Sequence, residues 1–576
     1  MQHVFFLIMR RMRTPLIVLI SVYAISVLGF VLIPGLDPNG NPVQMDFFHA
    51  FYFVSFMGST IGFGEIPYPF TGAQRLWTLF TIYATVVSWL YAIGTLISLA
   101  QTPAFKAAVT RNSFVKRVKK IKQPFYLICG YGDTGKLLVH ALSNLGNYCV
   151  VVDKEHSRIS ELDLETLPYH VATLHADASD TETLRQAGLE SSRCTAVVAV
   201  TRDGEVNLKI AVASKLLNPE LTVYCWAETD DIGDNMASFG TDHVINPYRI
   251  FAQRLSSALD SPSQYLLEEW LSSSGQQNLC RPLLPPSGHW VLCGFGRFGS
   301  AVFETLTRHG MTVTVVESRP DLCFPPEGSV VGRGTEAITL QKAGIEKAVG
   351  IIAGTDHDVN NLSIIMTAKT VNPELFTIAR QEYSSNRDIF DAANIDLVGN
   401  HSELIAGQLM ARMTTPLTST FIQLASGQTE KWAKSLTDRL AKQSGESNPS
   451  SWVISLTPQR ASAVMNHFRS GGLLELRHLL MHPAKRRIKL ACTALMIQRR
   501  SGELLLPEDK TPLHPHDRIL FAGEEGSKQK IMHICASADV LHYMRTGENR
   551  PSGYFWNWVT TKFRPRNPEA SAVDDS

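Results

Sequence analysis

Residues 58–67 read "GSTIGFGEIP", a stretch that ordinary protein interior does not explain. Gly62 and Gly64 alternate here with the large apolar residues Ile61 and Phe63. Glycine loses more conformational entropy than other residues when it is fixed in an extended segment, and it leaves no side chain to pack. The alternation therefore predicts a backbone geometry that a Cβ atom opposes.

Two long uncharged runs flank this stretch, one between Arg13 and Asp37 and one between Arg75 and Lys106. Each exceeds the roughly 20 apolar residues that a helix needs to cross a bilayer. A cleaved signal peptide is the alternative for the first run, but its apolar region would be shorter and a small-residue cleavage site would follow it. The pattern predicts two membrane-spanning helices.

Basic residues set the predicted orientation of these helices. Three arginines precede the first run, seven Lys and Arg residues occur from Lys106 to Lys122, and no acidic residue lies between Glu65 and Asp133. By the positive-inside rule, both termini are predicted to be cytoplasmic and residues 35–75 external. All nine cysteines then lie on the cytoplasmic side, so we interpret them as reduced thiols.

A third uncharged run, "FFHAFYFVSFMGSTIGFG" at residues 47–64, lies within the external segment. A third crossing would place the basic residues after Gln101 outside, against the positive-inside rule. The run is better explained as a segment that enters the membrane and returns, because non-helical backbone at membrane depth needs a cavity or surrounding protein. We predict a short helix and a glycine-rich return whose successive carbonyl groups point into a pore.

The residues Thr60, Ile61, Gly62, Phe63 and Gly64 resemble the selectivity filter of potassium channels, whose usual form is T-V-G-Y-G-D. The resemblance implies that carbonyl rings from four chains replace the hydration shell of K⁺. The permeant ion is thus expected to be K⁺, and the assembly a homotetramer in a lipid bilayer. Phe63 lacks the tyrosine hydroxyl that braces the filter in many relatives. A glycine-rich external turn is the alternative interpretation.

Gly94, in "YAIGTLISLAQTP", lies in the lower half of the second predicted span and resembles the gating-hinge glycine of these channels. Close packing between helices is the other common role of a membrane glycine.

The cytoplasmic part contains a dinucleotide-binding fingerprint twice. In each copy three glycines follow a predicted strand and an acidic residue ends the next strand: Gly130, Gly132, Gly135 and Asp153, then Gly294, Gly296, Gly299 and Glu317. The glycines permit a tight turn and the close approach of a pyrophosphate, and the acid binds a ribose hydroxyl. The repeat extends to "TLRQAGLE" at 183–190 and "TLQKAGIE" at 339–346. Each copy therefore predicts an alternating β/α lobe with a doubly wound parallel sheet.

Two such lobes behind a two-span pore resemble the RCK (TrkA-N type) domains of ligand-gated prokaryotic potassium channels that carry both lobes in one chain. The implied fold is an α-helical membrane pore of two spans plus a re-entrant pore loop, followed by two α/β Rossmann-like RCK lobes and a small α+β C-terminal subdomain. The expected boundaries are 1–105 for the pore, 106–123 for a linker, 124–286 and 287–424 for the lobes, 425–545 for the C-terminal subdomain, and 546–576 for a disordered tail. Residues 429–451 are read as a polar connector.

The resemblance implies a regulatory ligand, and the two glycine turns differ in charge. Phosphate groups bind at a helix N-terminus, where a fixed cation helps and a fixed anion repels. The first turn carries Asp133, whereas the second carries Arg297, with Arg333 and Arg380 expected at neighbouring strand ends. An adenine nucleotide, NAD(H) or ADP/ATP, is therefore predicted to bind the second lobe. The alternative for Arg297 is a surface charge that pairs with an acid across the lobe interface.

A divalent cation is the second candidate ligand. In relatives that respond to Ca²⁺, carboxylates follow the third and fifth strands, and Asp177 and Glu228 match two such positions. Trp226 stands where a further carboxylate is expected, so the site needs other oxygen ligands. A solvated acidic loop explains the same residues.

The sequence thus predicts a K⁺-selective channel of a prokaryotic inner membrane, gated by a nucleotide, a divalent cation or both. A weakly selective cation channel is the nearest alternative. An NAD-binding regulatory component of K⁺ transport would lack the spans and the filter, and a dehydrogenase would need a separate substrate domain. No enzymatic activity is expected, and the net charge of +1 argues against a nucleic-acid partner.

Overall fold

The computed structural model describes residues 2–36, 40–169, 171–272, 283–445 and 447–548. Cys280 and residues 549–576 of the predicted disordered tail, which was expected over 546–576, lie outside the described residues. The eight cysteines that the structure describes carry free thiols.

Three helices form the N-terminal region. They are α1 (Gln2–Leu32), α2 (Phe47–Gly58) and α3 (Gly72–Gln101), with the short antiparallel strands β1 (Gly35–Leu36) and β2 (Pro42–Val43) between α1 and α2. In the described chain, two helical segments are long and apolar enough to cross a membrane, Met9–Leu32 and Gly72–Gln101. The 12 residues of α2 extend only about 18 Å, less than the roughly 30 Å of a hydrocarbon core. The predicted pair of long helices and the short helix between them are confirmed.

The buried face of α3 consists mostly of small and polar residues. The residues of α3 that are buried recur mostly at every third or fourth position: Gln74, Thr81, Thr85, Ser88, Ala92 and Leu99. On α1, a Cβ atom at Gly29 would lie 2.1 Å from the ring of Trp77, whose Nε1 donates to the Ser26 carbonyl at 3.0 Å. Because lipid tails offer no hydrophobic driving force, such close approach is what holds membrane helices together.

The predicted linker is a helix that is docked, not a free tether. This helix, α4 (Pro103–Lys120), is separated from α3 by Thr102 alone. Its apolar face is buried, with Phe114 and Val118 at 0% and 6% exposure, and a Cβ atom at Gly188 would lie 3.0 Å from Val118. Arg111 donates to Gln186. Residues 181–190 of the first lobe therefore hold α4.

The first lobe contains six strands and seven helices among the described residues. They are β3 (Phe125–Cys129), α5 (Asp133–Asn144), β4 (Tyr148–Asp153), α6 (His156–Leu164), β5 (Ala172–His175), α7 (Thr181–Gln186), β6 (Cys194–Ala199), α8 (Gly204–Leu217), β7 (Thr222–Trp226), α9 (Asp230–Ser238), β8 (His243–Ile245), α10 (Pro247–Asp260) and α11 (Pro262–Ser272). The strand order is β5-β4-β3-β6-β7-β8. Strands β4 and β5 are parallel, as are β6, β7 and β8.

The second lobe repeats this arrangement. Its elements are β9 (His289–Cys293), α12 (Arg297–Arg308), β10 (Thr312–Glu317), α13 (Pro320–Cys323), β11 (Val330–Val331), α14 (Ala337–Lys342), β12 (Gly350–Ala353), α15 (Asp358–Val371), β13 (Phe376–Gln381), α16 (Arg387–Ala392), β14 (Leu397–Asn400), α17 (His401–Thr414) and α18 (Pro416–Ser426). The order β11-β10-β9-β12-β13-β14 corresponds strand by strand to the first sheet, and its ladders are parallel. The two predicted Rossmann-like lobes are confirmed.

Each lobe contributes a helix to the other. Helix α10 packs on α12 of the second lobe, and α17 of the second lobe packs on α5 of the first. At the first contact the rings of Phe251 and Phe298 lie 4.9 Å apart, and both residues belong to one buried cluster with Leu255. The hydrophobic core of the second lobe is therefore completed by a helix that precedes it in the chain.

The C-terminal subdomain is an α+β unit. Its elements are α19 (Glu430–Ser444), β15 (Ser450–Ser455), α20 (Ser462–Arg469), β16 (Met481–His482), β17 (Lys485–Lys489), β18 (Cys492–Arg499), β19 (Gly502–Leu505), β20 (Arg518–Gly523), α21 (Glu525–Ala536) and α22 (Ala538–Thr546). Four strands form an antiparallel sheet of order β15-β20-β18-β19.

The polar connector predicted over residues 429–451 is wrong for most of its length, because residues 430–444 form α19. The buried residues Ala433, Leu436, Thr437 and Leu440 recur at helical spacing within a mostly polar sequence. Leu436 and Leu440 join a cluster that contains Trp270 of α11 and Phe421 of α18. Helices from both lobes therefore form part of the core of the subdomain.

Candidate functional site

The backbone after α2 alternates in the way that the glycine pattern predicts. Positive φ angles occur at every second residue, 63° at Thr60, 68° at Gly62 and 98° at Gly64. A Cβ atom at either glycine meets no atom within 4 Å. The dihedral angle, and not the space available within the chain, is therefore what makes glycine necessary there.

Thr60 owes its left-handed conformation to the end of α2. Its N–H donates to the Met57 carbonyl at 3.0 Å, and the N–H of Ile61 donates to the Phe56 carbonyl at 2.9 Å. These two bonds form a Schellman motif, whose left-handed residue is usually glycine. Holding a threonine in this conformation costs about 1–2 kcal/mol of stability. The hydroxyl of Thr60, at the start of the glycine-rich segment, is therefore present despite that cost.

Glu65 ties the end of the return to the start of α3. Its carboxylate accepts a bond from the Phe70 N–H at 2.9 Å and bonds from Arg75 Nε at 2.8 Å and Nη2 at 3.2 Å. Phe63 packs the edge of its ring on Phe56, with centroids 5.5 Å apart. The bidentate ion pair between Glu65 and Arg75 thus braces the glycine-rich segment, in which Phe63 offers no tyrosine hydroxyl.

Gly94 lies on the exposed face of α3, opposite the buried residue Ala92. Ala92 belongs to the buried seam, and two residues further along a helix correspond to a rotation of about 200°. A Cβ atom at Gly94 meets no described atom within 4 Å. Packing against α1 therefore does not account for this glycine.

The two glycine turns of the lobes have the same geometry. The first glycine of each has a positive φ, 105° at Gly130 and 93° at Gly294. A Cβ atom at the third glycine, Gly135 or Gly299, would lie 2.1 Å from the carbonyl oxygen of the first. The second glycines, Gly132 and Gly296, are extended and cap the helices α5 and α12. Each turn thus brings a helix N-terminus close to its strand, as phosphate binding requires.

An acid ends the second strand of each lobe, as predicted. Asp153 accepts the Glu155 N–H at 2.7 Å. Glu317 accepts the N–H groups of Phe295 and Arg319, both at 2.8 Å. Burial raises the pKa of Glu317, but these N–H groups, together with hydrogen bonds from Ser318, more than offset that effect and hold the pKa below its usual value. The carboxylate of Glu317 is therefore hydrogen-bonded to the backbone of the second glycine turn itself.

The N-terminal residue of each turn helix contacts the opposite lobe. Arg297 forms an ion pair with Glu228, which follows β7 of the first lobe. Asp133 accepts the N–H of Ser384, which follows β13 of the second lobe, at 3.0 Å. The ion pair of Arg297 corresponds to the alternative that the sequence left open, a charge paired across the lobe interface.

Tyr248 of α10 brings two of the three predicted arginines together. The guanidinium groups of Arg297 and Arg380 lie 5.7 Å and 5.4 Å from the centre of its ring. Arg380 also pairs with Asp356 and, at 2.7 Å, with Glu382. Arg333 is exposed and follows β11.

His401, the first residue of α17, packs on the rings of Trp226 at 5.0 Å and Tyr248 at 5.5 Å. Burial, with a smaller effect from Arg380 and Arg297, lowers the pKa of His401 to about 3. The imidazole is therefore neutral at physiological pH. Neither Tyr248 nor His401 was among the predicted site residues, although both lie where the repeated sequence starts a helix after the last strand of a lobe.

The two predicted Ca²⁺ ligands have other partners. Glu228 is paired with Arg297, and Asp177 accepts the Ser179 N–H at 2.8 Å. Among the residues that the structure describes, no three His, Cys, Asp or Glu side chains are grouped so as to hold a metal ion.

Two family models match the chain. Residues 17–102 match the ion channel family, and residues 126–247 and 290–401 match the TrkA-N domain.

Individual proteins are similar to parts of the chain. Potassium channel protein 1 of Methanocaldococcus jannaschii is 27% identical over 217 residues, which are 38% of this chain and 63% of that protein. A Trk system potassium uptake protein TrkA homolog of Methanothermobacter thermautotrophicus is 30% identical over 146 residues, which are 24% of this chain and 67% of that protein. The chain thus spans less than two thirds of the length of the first relative. The solved structure named "GsuK channel bound to NAD" is 15% identical, with a TM-score of 0.45, and the match covers 92% of this chain and 99% of that one.

Proposed function

Because this chain belongs to the prokaryotic two-span potassium channels with tandem RCK (TrkA-N) domains, we propose that four copies form a K⁺-selective channel gated by an intracellular ligand. The observation that carries the proposal is the alternating backbone at Thr60, Gly62 and Gly64, after a helix too short to span a membrane. One chain supplies a quarter of the carbonyl cage that replaces the hydration shell of K⁺, so a homotetramer is required.

In this proposal the pore lies in the inner membrane of a prokaryotic cell with both termini in the cytoplasm, and the basic residues that flank the spans support that orientation. The two lobes act in this proposal as regulatory domains of the pore, because they match the TrkA-N domain in a chain whose N-terminal region matches an ion channel family.

Ion selectivity is tested by the reversal potential of the purified tetramer in planar bilayers under a K⁺/Na⁺ gradient. We expect a value near the equilibrium potential of K⁺. A value near zero would instead establish the weakly selective channel that Phe63 leaves as the second candidate.

A substitution tests the filter assignment. Gly62→Ala forces a Cβ onto a residue with a φ of 68° and is expected to abolish K⁺ current while a membrane-inserted tetramer still forms. Gly72→Ala is the control, since a Cβ there also meets no atom within 4 Å and its φ is not positive. Selective current of normal size from Gly62→Ala contradicts the pore assignment.

For the gating ligand, we propose an adenine nucleotide, NAD(H) or ADP/ATP, bound at the second lobe by the turn Gly294–Gly299, with Glu317 on a ribose hydroxyl. The support is the charge at the turn: α12 begins with Arg297, and α5 of the first lobe begins with Asp133. A cation at a helix N-terminus adds to the attraction for phosphate, and a carboxylate opposes it. Ca²⁺ has less support, since Glu228 is engaged by Arg297.

Nucleotide titrations of the purified tetramer test this assignment. Arg297→Ala is expected to weaken affinity on the order of tenfold, about 1.4 kcal/mol, as the loss of a charge-assisted contact should. Asp133→Ala is the matched variant in the first lobe and should leave affinity nearly unchanged. The reverse pattern would assign the ligand to the first lobe.

A further inference from the structure

The two lobes are joined by a reciprocal pair of contacts at their glycine turns. In each lobe, the first residue of the helix after the turn contacts the loop that follows the fifth strand of the other lobe. Arg297 contacts Glu228 in this way, and Asp133 contacts Ser384. The end of each lobe that would face a phosphate is thus also an attachment point for its neighbour.

The two contacts differ in chemistry. Asp133 accepts a bond from an uncharged backbone N–H. Arg297 instead binds a carboxylate, the kind of anionic oxygen group that a phosphate also presents. Arg297 can therefore exchange its partner for a phosphate, whereas the carboxylate of Asp133 would repel one.

Two guanidinium groups lie over the ring of Tyr248, and that of Arg297 can more readily exchange its anionic partner than that of Arg380. The Arg380 side chain is 8% exposed and bonds two carboxylates, Asp356 and Glu382. The Arg297 side chain is 47% exposed, and Glu228 is the one carboxylate paired with it among the described residues. An anion that arrives at the second turn has access to Arg297 and would compete with a single partner.

We propose that the carboxylate of Glu228 is an internal competitor of the nucleotide phosphate for Arg297. Phosphate binding at the second turn displaces Glu228 and so detaches the loop after β7 of the first lobe from α12. This inference rests on the proposed nucleotide site in the second lobe and adds its regulation: binding there changes the attachment between the lobes.

The proposal predicts the direction in which Glu228→Gln changes the affinity for ADP. Without competition, this substitution would leave the affinity unchanged or lower it. Glu228→Gln removes the competing charge, so it should tighten ADP binding to the full-length tetramer. Partly exposed ion pairs contribute about 0.2–1 kcal/mol, so we expect a gain in affinity of roughly 1.4-fold to fivefold. In the Arg297→Ala background the same substitution should have no effect, because the contested cation is gone.

Calorimetric titration with ADP of the wild type, both single variants and the double variant tests this. Glu403→Gln is the control, because it removes a carboxylate from another partly exposed pair, that with Arg387, and should leave ADP affinity unchanged. Competition is refuted if Arg297→Ala weakens binding while Glu228→Gln leaves it unchanged or weakens it, although the proposed nucleotide site then stands. If Arg297→Ala binds ADP as tightly as the wild type, the site in the second lobe is wrong, and the competition proposal fails with it.

Discussion

His401 shows how one residue makes the lobe interface depend on pH. Its pKa in the folded protein is about 3, whereas an unfolded histidine titrates near 6.5. Below pH 6.5 the unfolded chain therefore binds a proton that the folded chain does not, and stability falls as the pH falls toward 3. The stabilising contribution of the neutral imidazole is fully present above pH 6.5.

We expect the melting temperature of the wild-type tetramer to fall more between pH 7 and pH 5 than that of His401→Phe, which keeps an aromatic ring on Trp226 and Tyr248. The slope that the variant removes approaches about 1.4 kcal/mol per pH unit below pH 6. His309→Gln is the control. The pKa of His309 is raised, chiefly by its bond to the Thr305 carbonyl, so its contribution is lost as the pH rises and not as it falls. Equal melting shifts in the wild type and His401→Phe would contradict the prediction.

At the scale of single residues, the sequence predicts what depends on the backbone alone. Gly62 and Gly64 were predicted from their alternation because a Cβ is unfavourable at a positive φ whatever surrounds it. The left-handed Thr60 was not predicted, because its conformation comes from the end of α2. The pair of Glu65 with Arg75 joins an irregular segment to the first turn of α3, and no periodicity predicts that these two side chains meet.

At the scale of single elements, Gly94 is predicted to be the residue at which α3 bends during gating. In this structure α3 is continuous from Gly72 to Gln101. Alanine favours a helix over glycine by roughly 0.5–1 kcal/mol, so Gly94→Ala should shift the equilibrium toward the conformation with an unbent α3 by about two- to fivefold. Single-channel recording should show a changed open probability with nearly unchanged conductance.

Ser98→Ala is the control for this prediction, because Ser98 lies one turn further along the same exposed face of α3. A change in conductance without a change in gating would mean that Gly94 packs against another subunit and is not a hinge.

Elements whose ends are marked by a sequence motif were predicted well. The strands that end at Asp153 and Glu317 follow from the spacing of the fingerprint, and the structure ends β4 and β10 there. Helix α19 was missed because its few apolar residues are separated by lysines and other polar residues. Its buried face becomes apparent only when α11, α18 and the C-terminal sheet cover it.

The exchange of helices leads to a prediction for the whole molecule. Phe251 and Leu255 of α10 are 3% and 0% exposed, and burial of each is worth about 1.5–3 kcal/mol. A fragment that ends after α11, residues 124–272, loses α12 and exposes both side chains. The loss of about 3–6 kcal/mol is a large part of the stability of a typical domain.

We therefore expect fragment 124–272 to aggregate or to melt without cooperativity, and fragment 124–548 to melt cooperatively at a higher temperature, as measured by circular dichroism. Adding Phe251→Ala should destabilise the longer fragment far more than Leu216→Ala, because Leu216 is 75% exposed. Cooperative melting of the shorter fragment at the same temperature as the longer one would contradict the idea that the lobes complete each other.

A flexible tether transmits force only when it is taut, and it transmits no torque. Helix α4 has neither limitation, because one residue, Thr102, separates it from α3 and its apolar face is fixed on residues of the first lobe. A displacement of α7 therefore reaches the inner end of α3 as compression or rotation as readily as tension. In the proposed channel, ligand binding can then drive the pore shut as well as pull it open, and the sign of its effect is set by the direction in which the first lobe moves.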